Sequence, residues 1–380
     1  MNTQDSILHR VEFLKSLNLN CEFTGGILDS KTMVNWAKLL GKAVSNLAAI
    51  TVLSPIPEVK IGSALALYEV VEVYVSLLKR LDELQINTPK REVKDPVDSY
   101  NNTWLSPQEV RVQLLVPVLN EMNETLCELN RLAEWPTVRI IERNCRPSLE
   151  TAIGIIQEQE TIPLNTAELA YMGARDNRFV TFNHTRDYLE ETSIERDDPT
   201  KDLLVAQLRT QRDELDAIET FARLAAASAI PPEMLLELAR VIADEARHSL
   251  IGELGLLKLG LNPFQIPIGT IGAELRRSMN PWEGLAQICL IGETGNLKNI
   301  GKGSSDAISL NKRIISESLQ AVYYDERYHI AFGTKLLLEK FPHKTPKKIQ
   351  EESLSLTNQF LKRRGVSSVT MANVGSVLGE

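Results

Sequence analysis

Apolar residues recur at three- and four-residue spacing along most of the chain, and strand-like alternation is short and rare. That periodicity predicts an all-α protein. Residues 31–50, with Asp29-Ser30 as the cap, carry Trp36, Leu39, Leu40, Val44 and Leu47 on one stripe. Residues 58–85 follow Pro55 and Pro57 and carry Ala64, Leu67, Val71, Leu77, Leu78 and Leu81. A polar stretch with Pro89, Pro96 and Asn101-Asn102 reads as a loop over 86–106, and two further helical patterns, 107–133 and 136–159, are split near Pro136. Residues 160–200 break the rhythm with Pro163, Asn177, Asn183 and the acidic run from Glu190-Glu191 to Asp197-Asp198-Pro199, leaving room for a short helix near 166–174. Helical patterns then resume at 201–229, 232–259, 281–299 and 308–340. Pro231-Pro232 marks the first turn, 260–281 a long crossover, and Gly301 to Ser305 a glycine-rich turn. The predicted organisation is a helical bundle over 1–165, a linker and substrate loop over 166–200, a second bundle over 201–345, and a C-terminal helix and tail over 346–380.

Composition sets outer limits on function. The chain has 380 residues, 43% hydrophobic and 24% charged, enough for two ordinary cores without wholesale disorder. Its net charge is −8, and the densest basic pieces are Lys347-Lys348 and Lys362-Arg363-Arg364, so nucleic acid is a disfavoured partner. The four cysteines, Cys21, Cys127, Cys145 and Cys289, have no zinc-type spacing and suit a reducing compartment. Met1-Asn2-Thr3-Gln4-Asp5 lacks the basic-then-apolar layout of a signal peptide, and no run of 18 apolar residues occurs. The expectation is a cytoplasmic protein with no membrane segment.

Two of the five histidines sit in the pattern Glu-x-x-His, as Glu245-Ala246-Arg247-His248 and Glu326-Arg327-Tyr328-His329. Both lie inside strong helical patterns, where a carboxylate and an imidazole three residues apart share one face and can grip one metal ion. One such pair alone is usually a solvated surface pair. Here each follows a helix that carries an acid on its own apolar or small-residue stripe: Glu219 beside Leu215, Ala222 and Ala226, and Glu293 beside Cys289, Leu290 and Leu297. Glu214 is the alternative to Glu219 on the same helix, but its neighbours Thr210, Gln211 and Asp213 are polar, which favours Glu219 inside. Antiparallel helices turning at Pro231 would also bring Glu219 and Glu245 to about the same height. Four carboxylates on facing apolar stripes demand compensating positive charge. Two divalent cations would supply it, and oxygen and nitrogen donors without thiolate suit iron or manganese. Asp244 and Asp325 each precede a candidate ligand and could accept the imidazole N–H. Tyr323 and Tyr324 are candidates for redox or hydrogen-bonding roles, with ordinary packing favoured. His184, Glu253, Glu274 and Glu283 read as surface residues.

The stretches AIETFARLAAASAIPPEMLLELARVIADEARHSLIGELGLLKLG, NPWEGLAQICLIGETGNLKNIG and ESLQAVYYDERYHIAFGTKLL resemble the ferritin-like di-iron carboxylate superfamily, in the branch that includes the tRNA hydroxylases. They cover about a third of the chain. The resemblance implies a ferritin-like four-helix bundle in the C-terminal half whose metal ligands fall on Glu219, Glu245, His248, Glu293, Glu326 and His329. The stretches IPEVKIGSALALYEVVEVYVSLLKRLDEL and EWPTVRIIERNCRPSLETAIG resemble a second, degenerate bundle of this kind, with Glu69 and Glu72 present but Val73 and Tyr74 where histidine would stand. The implied cofactors are two iron ions, or a manganese–iron pair, with O2 as co-substrate. The implied activity is oxidation of a small organic substrate by hydroxylation, desaturation or N-oxygenation, aided by an electron donor, in a chain that could act as a homodimer. The competing expectations are ferroxidase-type iron handling without an organic substrate, and tRNA hydroxylation, which the acidic balance disfavours.

Overall fold

The computed structural model describes residues 30–98, 104–132, 135–159, 170–182, 198–366 and 369. Cys21, His184 and the predicted linker over 160–169 and 183–197 lie outside the described residues, as does most of the tail after 366. The described chain is almost entirely helical. Helices α1 (Ser30–Leu53) and α2 (Pro57–Glu83) are joined by the short Ser54–Ile56 link, with Pro57 fixing the first turn of α2. Helix α3 starts at Pro107–Val110 behind a Ser106/Glu109 capping box and runs through a π turn, Arg111–Leu115, into Val116–Leu132. Helix α4 repeats that design, with Trp135–Ile140, the π turn Ile141–Cys145 and Arg146–Gln159.

The second half comprises α5 (Pro199–Arg212), α6 (Leu215–Ala227), α7 (Pro232–Lys258), α8 (Ile271–Arg277), α9, α10 (Arg313–Lys340) and α11 (Pro346–Arg363). Helix α9 begins at Pro281–Gln287 behind an Asn280/Glu283 capping box, passes through the π turn Ile288–Glu293 and continues as Thr294–Ser309. Strands β1 (Thr181–Phe182) and β2 (Ile268–Gly269) form one short parallel pair, with Thr181 opposite Ile268.

Helix α6 packs on α7 and α9, and α10 packs on α7 and α9, so these four close a ring of neighbours. The N-terminal helices do not stand apart from them. Helix α1 lies along α2 and α6, while α2 lies against α7 and α4. Trp36, Leu40 and Leu67 from one half and Phe221, Leu238 and Leu337 from the other belong to a single buried apolar core. Helix α2 is also the one described helix long and apolar enough to cross a membrane, with mean hydropathy 1.6, and 72% of that window is buried inside the protein.

Three local expectations are corrected. First, the predicted helix 201–229 breaks at Asp213-Glu214. Gly252 of α7 presses on α5 so closely that an added Cβ would collide with the backbone nitrogen of Arg212 and come within 2.5 Å of the Leu208 carbonyl. The Ser249 hydroxyl donates to the Arg212 carbonyl at 3.0 Å, and the Arg212 guanidinium donates to the Pro263, Ile266 and Pro267 carbonyls of the crossover. Second, Gly301 to Ser305 is helix rather than turn. Gly303 admits the Gln207 side chain, and the Ser304 hydroxyl meets Ser316 Oγ at 2.9 Å, so small residues serve close packing of α9 on α5 and α10. The reversal comes later, at Asn311, with φ of 56°. Third, the described part of the expected short helix, 170–174, is irregular. It is tied down by Ala170 N–H donating to the Leu53 carbonyl and Asp176 N–H to the Pro55 carbonyl.

Two glycines in the same bundle should therefore respond oppositely to alanine. Gly252→Ala should lower stability by about 1–3 kcal/mol through overpacking. Gly301→Ala, where an added Cβ meets nothing within 4 Å, should raise it by about 0.5–1 kcal/mol through helix propensity. Urea unfolding midpoints of the two variants check both signs.

Candidate metal centre

The apolar interior of the second half is interrupted by one layer. Below it lies a cluster built from Leu204, Leu208, Leu256, Ile300, Leu319 and Val322; above it runs the main core with Leu215, Ile242, Leu290 and Phe332. On each of the four helical tracks, an acid falls in sequence between the two clusters. Glu214 lies between Leu208 and Leu215, Glu245 between Ile242 and Leu256, Glu293 between Leu290 and Ile300, and Glu326 between Val322 and Phe332.

Glu245, Glu293, Glu326 and His329 are all buried, and each offers a donor atom within 4.8 Å of the others. The group could hold a metal ion. His248 adjoins it, with Nδ1 3.1 Å from Glu245 Oε2 and 3.6 Å from Glu326 Oε1. His329 mirrors it, with Nδ1 2.9 Å from Glu245 Oε1 and 3.5 Å from Glu326 Oε2. The two imidazole rings are 5.6 Å apart. Each turns its other nitrogen toward the aspartate of the opposite helix: His248 Nε2 lies 3.3 Å from Asp325, and His329 Nε2 lies 3.4 Å from Asp244. Arg247 ties both aspartates together, at 2.8 Å from each. The two Glu-x-x-His arms thus brace one another across the α7–α10 interface, leaving both Nδ1 atoms facing the carboxylates.

Glu293 closes the π turn of α9. The extra residue in that turn alters which side chain faces inward, and π turns of this kind are common at functional sites. The neighbouring Cys289 thiol is buried close to Glu293, and burial, then the charge of Glu293, pushes that thiol well above its ordinary pKa. Gly333 of α10 leaves the space that Cys289 fills.

The electrostatics describe a site short of positive charge. Burial, then the charge of Glu326, raises the Glu293 carboxyl far above the carboxylate range. Burial, then Glu245, also raises the Glu326 carboxyl above its ordinary value. Glu245 is the exception: burial works against its charge, but His329 and His248 hold it down to about 2. Burial likewise opposes charge on His248, yet Glu245 and Asp325 hold its pKa at about 9. Among the described residues no lysine or arginine pairs with Glu245, Glu293 or Glu326. Both oxygens of Glu293 and both of Glu326 are buried without a hydrogen-bond partner, while Glu245 Oε1 and His329 Nδ1 have only one another, at 2.9 Å. Orphaned carboxylate oxygens converging in an apolar layer are the donor set that a divalent cation satisfies.

Glu219 does not join this group. It is fully buried, but its carboxylate takes the Lys60 ammonium at 2.7 Å and the Arg175 guanidinium at 2.6 Å. Lys60 spends its remaining donors on the Thr51 and Val52 carbonyls, at 2.7 and 3.2 Å, and burial lowers its pKa to about 8 against the pull of Glu219. Arg175 also pairs with Asp216, which Arg276 shares at 3.1 Å. Glu219 is thus charge-paired through Oε1 by residues of the N-terminal half and the 170–182 segment, while its Oε2 is buried without a hydrogen-bond partner. Glu214, the alternative on that track, is the acid whose carboxyl is pushed far up by burial and by the charges of Glu245, Glu326 and Glu293. The signal that separates them is Lys60, a lone lysine inside the apolar pattern of α2.

The remaining sequence candidates lie outside the cluster. Tyr324 is exposed and Tyr323 packs against the lower apolar cluster. Glu253, Glu274 and Glu283 are half-buried rather than exposed; Glu283 caps α9, and Glu274 accepts from Thr270 and Arg364. Sequence reasoning passed over Tyr328, whose ring stands edge-on to His329 and whose hydroxyl donates to Glu237. Compared with known protein families, curated proteins and solved structures, the chain matches none.

The two acids of the α5–α6 track should behave differently. Glu219→Gln should cost about 3–5 kcal/mol of stability, because it strips a buried ammonium and guanidinium of their shared carboxylate, and should leave metal content unchanged. Glu214→Gln should lower metal content with little loss of stability. Thermal unfolding and elemental analysis of the same two preparations read both effects.

Proposed function

We propose that α5–α6, α7, α9 and α10 form a ferritin-like bundle holding two metal ions, iron or a manganese–iron pair, and that the protein uses O2 to oxidise a small organic substrate. The observation that carries this reading is the layer of unpartnered carboxylate oxygens set between paired Glu-x-x-His arms. Glu245, His248, Glu293, Glu326 and His329 would hold the metals, with Glu214 supplying the donor that the sequence resemblance placed on Glu219. When bound, a ferrous pair would supply the electrons that reduce O2 and the oxidising power directed at the substrate.

The chain's own residues supply the rest. Asp244 and Asp325, positioned to accept the Nε2 protons, keep both Nδ1 lone pairs turned inward. Glu293 is held by the π turn, with the Cys289 thiol close to it, so its carboxylate stays in the layer rather than swinging toward α5. The apolar clusters above and below exclude bulk water, which strengthens every charge interaction in the layer and shields reactive species from solvent. An organic substrate rather than stored iron is favoured by the size of the fold, since helices α1 to α4 share their core with the bundle instead of leaving its faces free to build a shell.

Elemental analysis of the purified chain should find about two metal ions per chain, falling sharply in His248→Ala and in His329→Ala. Metal content unchanged in both variants would defeat the assignment. With metal loaded, oxygen consumption should require both a reductant and an added organic compound; consumption that tracks ferrous iron alone would make this an iron oxidase instead.

A further inference from the structure

A second cavity, of about 410 Å³, opens between α1, α2 and the loop that follows α2. Five basic side chains and one acidic one line it, on a chain whose net charge is −8. Lys38, Lys42 and Lys90 are exposed at its rim. Ser45 of α1 and Tyr74 of α2 are buried in its wall. Its volume is that of a small-molecule site.

Two groups inside are left wanting a partner. Arg91 donates to Ser45 Oγ at 3.3 Å and to the Ser228 carbonyl at 3.0 Å, both neutral, and among the described residues no carboxylate pairs with it. Burial accordingly pulls its pKa down to about 10. The Trp104 indole N–H is buried with no acceptor, and the Lys94 ammonium stands 5.7 Å from the centre of that ring. A half-buried guanidinium without a counter-charge, lining the same cavity as an idle N–H donor, is a site suited to oxygen anions. The Trp104 and Tyr74 rings offer flat apolar surface for the rest of a ligand.

We propose that this pocket binds a small organic anion, a carboxylate or phosphate ester carried on a flat apolar body, at a site separate from the metal centre. Ser228 caps the far end of α6 from Glu214, about 20 Å along the helix, so the anion would not reach the carboxylate layer. The pocket is nonetheless coupled to the bundle. Its loop is fastened to α6 by Lys94 N–H on the Ala226 carbonyl and by Asp95 on Arg223, which also donates to the Arg276 and Met279 carbonyls at the entrance to α9. A ligand neutralising Arg91 would therefore stiffen the loop that clamps α6 against the crossover.

Isothermal titration calorimetry with phenyl phosphate, benzoate and inorganic phosphate tests the site on the full chain. Phenyl phosphate or benzoate should bind saturably, one per chain, more tightly than inorganic phosphate, and binding should weaken with salt. Affinity should fall about tenfold in Arg91→Gln and in the surface double variant Lys38→Gln/Lys42→Gln, which removes charge without touching the core. Trp104→Phe, which keeps the ring but deletes the N–H, should weaken it several-fold, and His329→Ala should leave it unchanged. No saturable binding up to about 10 mM of any probe, full affinity in Arg91→Gln, or loss of binding in His329→Ala would overturn the proposal.

Discussion

The second half of the molecule is organised around charge that its own basic residues do not neutralise. Carboxylates from α7, α9 and α10 and two imidazoles meet in a layer with apolar clusters on both sides, and the described lysines and arginines stay away from them. An isolated carboxylate in such surroundings takes up a proton or destabilises the fold by several kcal/mol. Burial and the neighbouring acids push the Glu293 and Glu326 carboxyls up, and those acids raise both histidines against the opposing effect of burial. The Glu293 and Glu326 oxygens are at the same time left without donors. A divalent cation would satisfy both the charge and the lone pairs of the layer.

A few ångströms away the same chain solves the same problem differently. Glu219 and Asp216 are as much a burden as Glu293, yet Lys60, Arg175 and Arg276 are brought to them from α2, the 170–182 segment and α8. The cations come from elements far apart in sequence, so this network forms only when the two halves dock. It pins α2 against α6 at a fixed height, and α6 in turn carries Glu214 at its N-terminal end. The N-terminal half is thus a mechanical support for one edge of the layer rather than an appended domain.

Much of this was legible from spacing. The Glu-x-x-His arms, Glu293 and the flanking aspartates are local features of single helices, and helical periodicity decides which face they occupy. Glu214 was not legible for the opposite reason. Periodicity assumes an unbroken helix, and α5 ends at Arg212 because Gly252 of a different helix crowds it and crossover carbonyls capture its guanidinium. Polar neighbours suggested that Glu214 faced outward; it is half-buried, and Gln211 beside it is fully buried. The Gly301 to Ser305 stretch misled in the same way. Glycine there serves close approach of two helices, and a backbone freedom argument made from one strand of sequence cannot distinguish that from a turn.

The two halves differ at the level of α2 where the resemblance would place histidine. Val73 there is buried in continuous apolar core. Tyr74 is buried too, but its ring lies against Gly41 and its face opens on the basic pocket. In the C-terminal half acids dominate a closed layer and call for cations. In the N-terminal half Arg91 and the rim lysines dominate an open pocket and call for an anion. The carboxylate layer and the basic pocket lie toward opposite ends of α6, with opposite charge deficits, and the ion pair between Asp95 and Arg223 fastens the pocket's loop to the C-terminal part of that helix.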